Sequence, residues 1–319
     1  MASQRKIEEM TFDDFSNRIA HDVIEKKILQ FNDDHVILVC GDEGKRKSTF
    51  TLALACNVYR KLGRTPTTDM LKYSWPEYRE ANLFALKNMK HTLRDPRMAM
   101  KMVREYGIDD DNTEELRKIW DKEMDIKKGD IVVFDEACEI NARDSMSQTN
   151  KDFTGLMIKN RFLGLLHFLN IPKPMSLDIY PREQRARGMV WCCADYNDAI
   201  TERLSRIYYY TKETYSEIFA AKRYWNLFTN QDKLIRAVPP DFQITELGDM
   251  RTYIPENIAT FYESKKWAFN YSGLLADALG KNKRSFNKDK LVRPGESKAE
   301  WFERTGLSPA YFNTFRLMK

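Results

Sequence analysis

One stretch narrows the possible folds more than any other: residues 35–55, HVILVCGDEGKRKSTFTLALA. Val36, Ile37, Leu38 and Val39 form a short continuous apolar run, the pattern of a strand buried on both faces. A glycine-containing loop follows, then Lys47-Ser48-Thr49, then an apolar helix. A strand that delivers a loop of backbone N–H groups to a helix N-terminus is a way to wrap phosphates. Gly41, Gly44, Lys47 and Ser48 fit G-x-x-G-x-G-K-S everywhere except at Arg46, which stands where glycine is usual. In such a loop Lys47 reaches the β/γ-phosphates and Ser48 holds Mg²⁺. Lys45, Arg46 and Thr49 complete the expected phosphate-binding set. Glycine at position 46 would let the backbone approach phosphate and take unusual torsions. Arg46 must therefore point outward or distort the loop; it either adds a phosphate contact or marks slow turnover.

A second signal lies further along. Residues 130–137, DIVVFDEA, contain another continuous apolar run, Ile131 to Phe134, ending in Asp135-Glu136. After a phosphate loop, a strand-terminal carboxylate meets the Mg²⁺ shell, and a following Glu polarises the attacking water. Lys47, Ser48 with Asp135, and Glu136 then supply phosphate neutralisation, metal binding and water activation. The strand expected over 163–172 places Asn170 at its tip, where a polar side chain can touch both the γ-phosphate and the water; the plainer role is a strand-terminal Asn in a turn. An arginine for the transition-state charge is sought among Arg143, Arg161, Arg185 and Arg187, with Arg161 favoured. The expected catalytic set is thus Glu136, Lys47, Asn170 and Arg161, with Ser48 and Asp135 on the metal.

The pattern predicts an α/β fold: a P-loop NTPase of the additional-strand, RecA/AAA-like kind, with a mainly parallel sheet and helices on both faces. Apolar spacing predicts a helix over 5–31, from Phe15, Ile19, Val23, Ile24, Ile28 and Leu29. Strand 36–40 and helix 48–62 follow, the helix ending near Gly63. Residues 64–130 read as mostly helical, with MLKYSW (70–75) a short strand. A helix lies within 141–162, capped by Ser147 or Thr149, and a further strand within 187–196. RIYYYTKETY (206–215) reads as an edge strand or hairpin, and the sheet is expected to end near Pro239-Pro240. The domains are then 1–240 for the ATPase, 241–280 for a helical connector with a helix over 255–279, and 281–319 for a small helical C-terminal region.

Charge separates that last region from the rest. Residues 281–319 carry ten Lys/Arg and four Asp/Glu, a net of +6, within a chain whose net charge is +5. A basic excess confined to one end suggests a polyanion partner. Residues 297–319 have the cadence helix, Gly306-Leu307-Ser308 turn, helix, with Ala299, Trp301, Phe302, Leu307, Tyr311, Phe312 and Phe315 as a small core. This reads either as a helix-turn-helix offering Asn313 and Arg316 to DNA, or as a hairpin docking on the body or on a partner. Lys281, Lys283, Arg284, Lys288 and Lys290 would add salt-sensitive phosphate contacts. The five cysteines (Cys40, Cys56, Cys138, Cys192 and Cys193) lack zinc-ligand spacing and read as small buried groups in a reducing compartment. No apolar run approaches the roughly 20 residues that span a bilayer, and the first residues lack a signal-peptide core. A cytoplasmic protein, in the host or associated with a virion, is expected.

With these residues in place, the chain resembles a family. The segment after the acidic strand is similar to that of zonula occludens toxin-like and FtsK–HerA-type P-loop ATPases of archaeal and phage mobile elements. The likeness rests on Asp135-Glu136-Ala137, Arg143-Asp144-Ser145-Met146, Asn150-Lys151, Asn170 and Arg185/Arg187, and covers residues 36–215 apart from 64–125. The family has glycine where Arg46 stands. The resemblance implies a motor that uses ATP and Mg²⁺, assembles into a ring or other homo-oligomer, and acts on DNA in packaging, transfer or segregation. Two other readings stay open: a P-loop kinase or phosphotransferase, and a nucleotide-gated DNA-binding or assembly protein with weak hydrolysis.

Overall fold

The computed structural model describes residues 6–31, 33–41, 46–89, 126–135, 137, 148–159, 163–193, 206–220, 231–278, 297, 299 and 300. In chain order its elements are β1 (Glu8–Thr11), α1 (Phe12–Arg18), a π-helical stretch (Ile19–Gln30), β2 (His35–Cys40), α2 (Lys47–Lys61), β3 (Leu71–Lys72) and α3 (Trp75–Met89). There follow β4 (Ile131–Phe134), α4 (Gln148–Lys159), β5 (Leu166–Ile171), β6 (Ala186–Cys193), β7 (Arg206–Thr211) and α5 (Lys212–Ala220). The series closes with α6 (Gln231–Ala237), β8 (Phe242–Thr245) and α7 (Glu256–Ala278).

Every residue of β2, β4 and β5 is buried. Their apolar runs carry no alternation because both faces are covered. All eight strands join one sheet in the order β1-β8-β7-β6-β2-β5-β4-β3. The pairs β6–β2, β2–β5, β5–β4 and β4–β3 are parallel, and β7 alone runs against its neighbours. β5, which follows β4 in sequence, lies in space between β2 and β4. The α/β architecture and the mainly parallel sheet therefore stand as the sequence predicts.

Register assigns the two faces. Leu38, Leu169 and Met189 are cross-strand neighbours and share a core with Tyr78 of α3, Phe153 of α4, Tyr215 of α5 and Leu234 of α6. The opposite face carries Val39 and Asn170 in register, and α1, the π-helical stretch and α2 pack there. Phe15 of α1 lies 5.0 Å from the Tyr209 ring, and the Tyr59 hydroxyl of α2 accepts from the Ile131 amide at 3.0 Å. From Phe50 to Tyr59, α2 is buried all round, because the sheet lies on one side and other helical elements on the other. Gly63, at φ +66, closes it, with the Arg64 amide reaching back to the Tyr59 carbonyl at 2.8 Å.

Three expectations change. The helix predicted over 5–31 begins only at Phe12; Glu8–Thr11 is an edge strand whose two glutamates are exposed, and so short and charged a segment has no alternation to read. Segment 206–211 is interior, between β6 and β8, and its aromatic run is buried from Ile207 to Tyr210. The sheet does not end at Pro239-Pro240: β8 follows, two residues beyond the expected boundary at 240. Asp241 anchors that turn, accepting from the Thr211 amide at 2.7 Å and the Thr214 hydroxyl at 2.8 Å. Two compact units, 1–262 and 263–319, divide the chain. In the second, Ser297 and Glu300 form a reciprocal capping box, with bonds of 2.8 and 3.3 Å, at the start of the helix predicted there.

Candidate functional site

The loop and the acidic strand meet at the carboxyl ends of β2, β4 and β5. Phe134 pairs with Leu169, so Asp135 and Asn170, one step further along each strand, come side by side on the face that carries α2. Ser48, in the first turn of α2, donates to Asp135 Oδ1 at 2.8 Å. Asn170 Nδ2 donates to the same oxygen at 2.7 Å. The Asn170 carbonyl is in turn 2.8 Å from the Thr51 hydroxyl, which also lies 2.8 Å from the Lys47 carbonyl. Asp135, Asn170 and Thr51 are all buried. Asn170 is therefore built into the network beneath the helix start and is no turn residue.

Lys47 Nζ donates to the Gly41 carbonyl at 2.7 Å, so its ammonium bridges from the helix back to the end of β2. Gly41 has no room for a side chain: a Cβ would sit 2.6 Å from the Cys192 carbonyl. Arg46 has φ 54 and ψ 27, the left-handed region. The torsion that glycine would supply is thus kept by an arginine, at a cost of roughly 1–2 kcal/mol. The helix starts regularly after it, the Phe50 amide bonding the Arg46 carbonyl at 3.0 Å. Thr49 is half-buried in the same turn.

A further residue joins from far along the chain. Tyr262 of α7 donates its hydroxyl to Asp135 Oδ2 at 3.2 Å. Its ring is buried and lies 5.7 Å from that of Tyr73, whose hydroxyl bonds the Tyr262 carbonyl at 3.4 Å. Burial, then the Asp135 charge, push the Tyr262 phenol far above its ordinary range, so it acts as a neutral donor. Among the described residues Asp135 meets only neutral donors: Ser48, Asn170 and Tyr262.

Mg²⁺ is usually held by one or two carboxylates together with substrate phosphates and waters. A hydroxyl and a carboxylate 2.8 Å apart at the head of a helix fit that requirement, and no cluster of three His, Cys, Asp or Glu suited to a metal occurs among the described residues.

Glu136, Gly44, Lys45, Arg143, Arg161 and the basic set Lys281, Lys283, Arg284, Lys288, Lys290, Asn313 and Arg316 lie outside the described residues, as do Ser147 and Cys138. Arg185 is placed elsewhere: it immediately precedes β6 and forms a buried ion pair with Asp34, which precedes β2. Arg185 and Arg187 therefore belong to the amino ends of the parallel strands, opposite the site. The described cysteines are buried thiols outside any disulfide, and burial drives the Cys56 thiol up to about 12. No helix among the described residues is long and apolar enough to cross a membrane. The sequence reading did not find Thr51 or Tyr262. Thr51 had a signal, a hydroxyl one turn after Lys47 inside an apolar helix; Tyr262 had none in its own neighbourhood. Compared with known protein families, curated proteins and solved structures, the chain matches none.

Proposed function

We propose that this protein is an ATP-hydrolysing, DNA-handling motor of a virus or mobile element. The observation that carries the reading is the convergence of Lys47, Ser48, Asp135 and Asn170 at the carboxyl edge of a parallel sheet. That edge is where open α/β sheets bind ligands. The strand order also supports it, since β5 separates the loop strand from the acidic strand, as in additional-strand P-loop NTPases. In this reading the amide groups of the loop and the Lys47 ammonium hold the triphosphate. Ser48 and Asp135 hold Mg²⁺, which would draw charge off the phosphates. Glu136 takes the water proton, and Asn170 keeps Asp135 oriented while facing the γ-phosphate. The left-handed Arg46 backbone keeps, at that position, the torsion that the missing glycine would supply. The basic segment 281–319 supplies the DNA contacts, and a ring or other homo-oligomer lets an arginine act across an interface, Arg161 first among those considered.

The test is ATP hydrolysis by the purified protein with and without double-stranded DNA, beside Lys47→Ala and Glu136→Gln. Turnover should rise with DNA and fall at least about a hundredfold in both variants. Tight ATP binding without turnover under every DNA condition would replace the motor with a nucleotide-gated DNA-binding protein. Turnover that depends on a soluble acceptor would make it a phosphotransferase.

A further inference from the structure

Asp135 is asked to do two things with one carboxylate. The reading above gives it to Mg²⁺, whereas the structure gives one of its oxygens to Tyr262. A carboxylate offers about four acceptor positions. Ser48 and Asn170 both use Oδ1, and Oδ2 is covered by a phenol that is itself buried. The Tyr262 hydroxyl thus bonds one of the two residues expected to hold the metal. Three of those acceptor positions are taken, so a metal reaching Asp135 has to share Oδ2 with the Tyr262 phenol.

Tyr262 is not on the sheet or the loop. It lies two turns into α7, whose 23 residues run from Glu256 to Ala278, immediately before the basic segment that opens at Lys281. Its place is fixed from both ends. The Tyr73 hydroxyl grips its carbonyl, and the ring packs against Tyr73. Asp135 holds its hydroxyl. Coupling between sites would require two arrangements of the helix, latched on Asp135 or released from it.

We propose that Tyr262 is a latch: it holds helix α7 on Asp135 when no metal–nucleotide is present and is displaced when Mg²⁺ with a nucleoside triphosphate arrives. This rests on the reading of Lys47, Ser48 and Asp135 as a metal–nucleotide site. Tyr262 acts as a positioning residue and touches no reacting atom. Its displacement frees the first turns of α7 and so reports site occupancy to that helix. Free nucleotide without metal leaves Asp135 uncontested and leaves the latch closed.

The experiment compares the full chain with Tyr262→Phe, which keeps the ring and removes only the hydroxyl. Binding of a fluorescent ATP analogue is titrated over a range of Mg²⁺ concentrations, and hydrogen exchange across 256–278 is followed with analogue alone and with analogue plus Mg²⁺. The phenol competes with the metal through one hydrogen bond to a charged group, so its removal should lower the Mg²⁺ concentration for half-maximal binding about tenfold. Exchange in α7 should rise with Mg²⁺ and analogue together in the wild type, and should already be raised in Tyr262→Phe without ligand. Tyr73→Phe, which removes the bond to the Tyr262 carbonyl, should shift the Mg²⁺ requirement in the same direction by less. An unchanged Mg²⁺ requirement in Tyr262→Phe, with the analogue still bound, overturns the latch and leaves the nucleotide site standing. No binding of the analogue by the wild type at any Mg²⁺ concentration overturns the site and the latch together.

Discussion

The two ends of the same central strands treat buried charge in opposite ways. At the amino ends, Asp34 is only 2% exposed and is closed off by Arg185. Asp130 accepts from Arg64 at 3.2 Å and from the Lys127 amide at 2.8 Å. At the carboxyl ends, Asp135 is 4% exposed, yet its partners among the described residues are two hydroxyls and an amide. A buried carboxylate paired with a guanidinium is spent on the fold, because separating the pair strands a charge. A buried carboxylate held by neutral donors has no cation among those partners. The difference teaches that acids beside apolar runs, alike in the sequence, are partnered differently: by guanidinium groups at the amino ends, by neutral donors at the carboxyl ends, where the proposed site lies.

The largest expected effect belongs to the structural end. His35 opens β2 and His167 lies in β5, and burial depresses both to about 3. The unfolded chain takes up protons below about pH 6.5 while the native imidazoles stay neutral. Unfolded therefore binds more protons than native between about 6.5 and 3, and stability falls as pH falls through that window. Each histidine contributes about 1.4 kcal/mol per pH unit. Urea midpoints measured from pH 7 to pH 4.5 should drop steeply, and a shallower slope in His167→Gln would assign half of the effect. A flat profile would break the claim that these groups are buried neutral.

The comparison itself is tested by a matched pair. Arg185→Met leaves Asp34 buried without its partner and should cost about 3–5 kcal/mol, with no change in Mg²⁺-dependent nucleotide binding by the folded fraction. Burial already raises the Asp34 carboxyl, ahead of the opposing effect of Arg185. Acidification should therefore narrow the gap between variant and wild type. Asp135→Asn should do the reverse, changing stability by on the order of 1 kcal/mol while abolishing the Mg²⁺ dependence. If both variants lose stability equally, the two edges do not differ as argued.

The smallest effect is at Arg46. Glycine takes its left-handed torsion without strain, so Arg46→Gly should stabilise the fold by about 1 kcal/mol in chemical denaturation, unless the arginine side chain earns that back through contacts of its own. Comparing nucleotide affinity in the same variant separates a phosphate contact, which would weaken binding, from a mere substitution of convenience, which would not.

Much of this molecule was legible from local pattern. The runs Val36–Val39, Ile131–Phe134 and Leu165–Leu169 announce strands because burial on both faces removes polar alternation, and the apolar run after Lys47-Ser48 announces the helix that begins there. Arg46 shows the limit of motif reading: the missing glycine suggests a distorted loop, but the backbone torsion is retained at modest cost. β1 and β8 were not legible, since four residues at or near a sheet edge need only a neighbour to pair with and carry little pattern of their own.

By itself, then, the sequence determined the α/β architecture, the parallel centre of the sheet, and Asp135 with Asn170 as its polar strand ends, because each depends on residues adjacent in the chain. Only the tertiary structure decided which strand lies between β2 and β4, that Arg185 turns away to Asp34, and that Tyr262 returns to Asp135 from 127 positions further along. Those are contacts between distant segments, and distance along the chain leaves no periodicity for a reader to find.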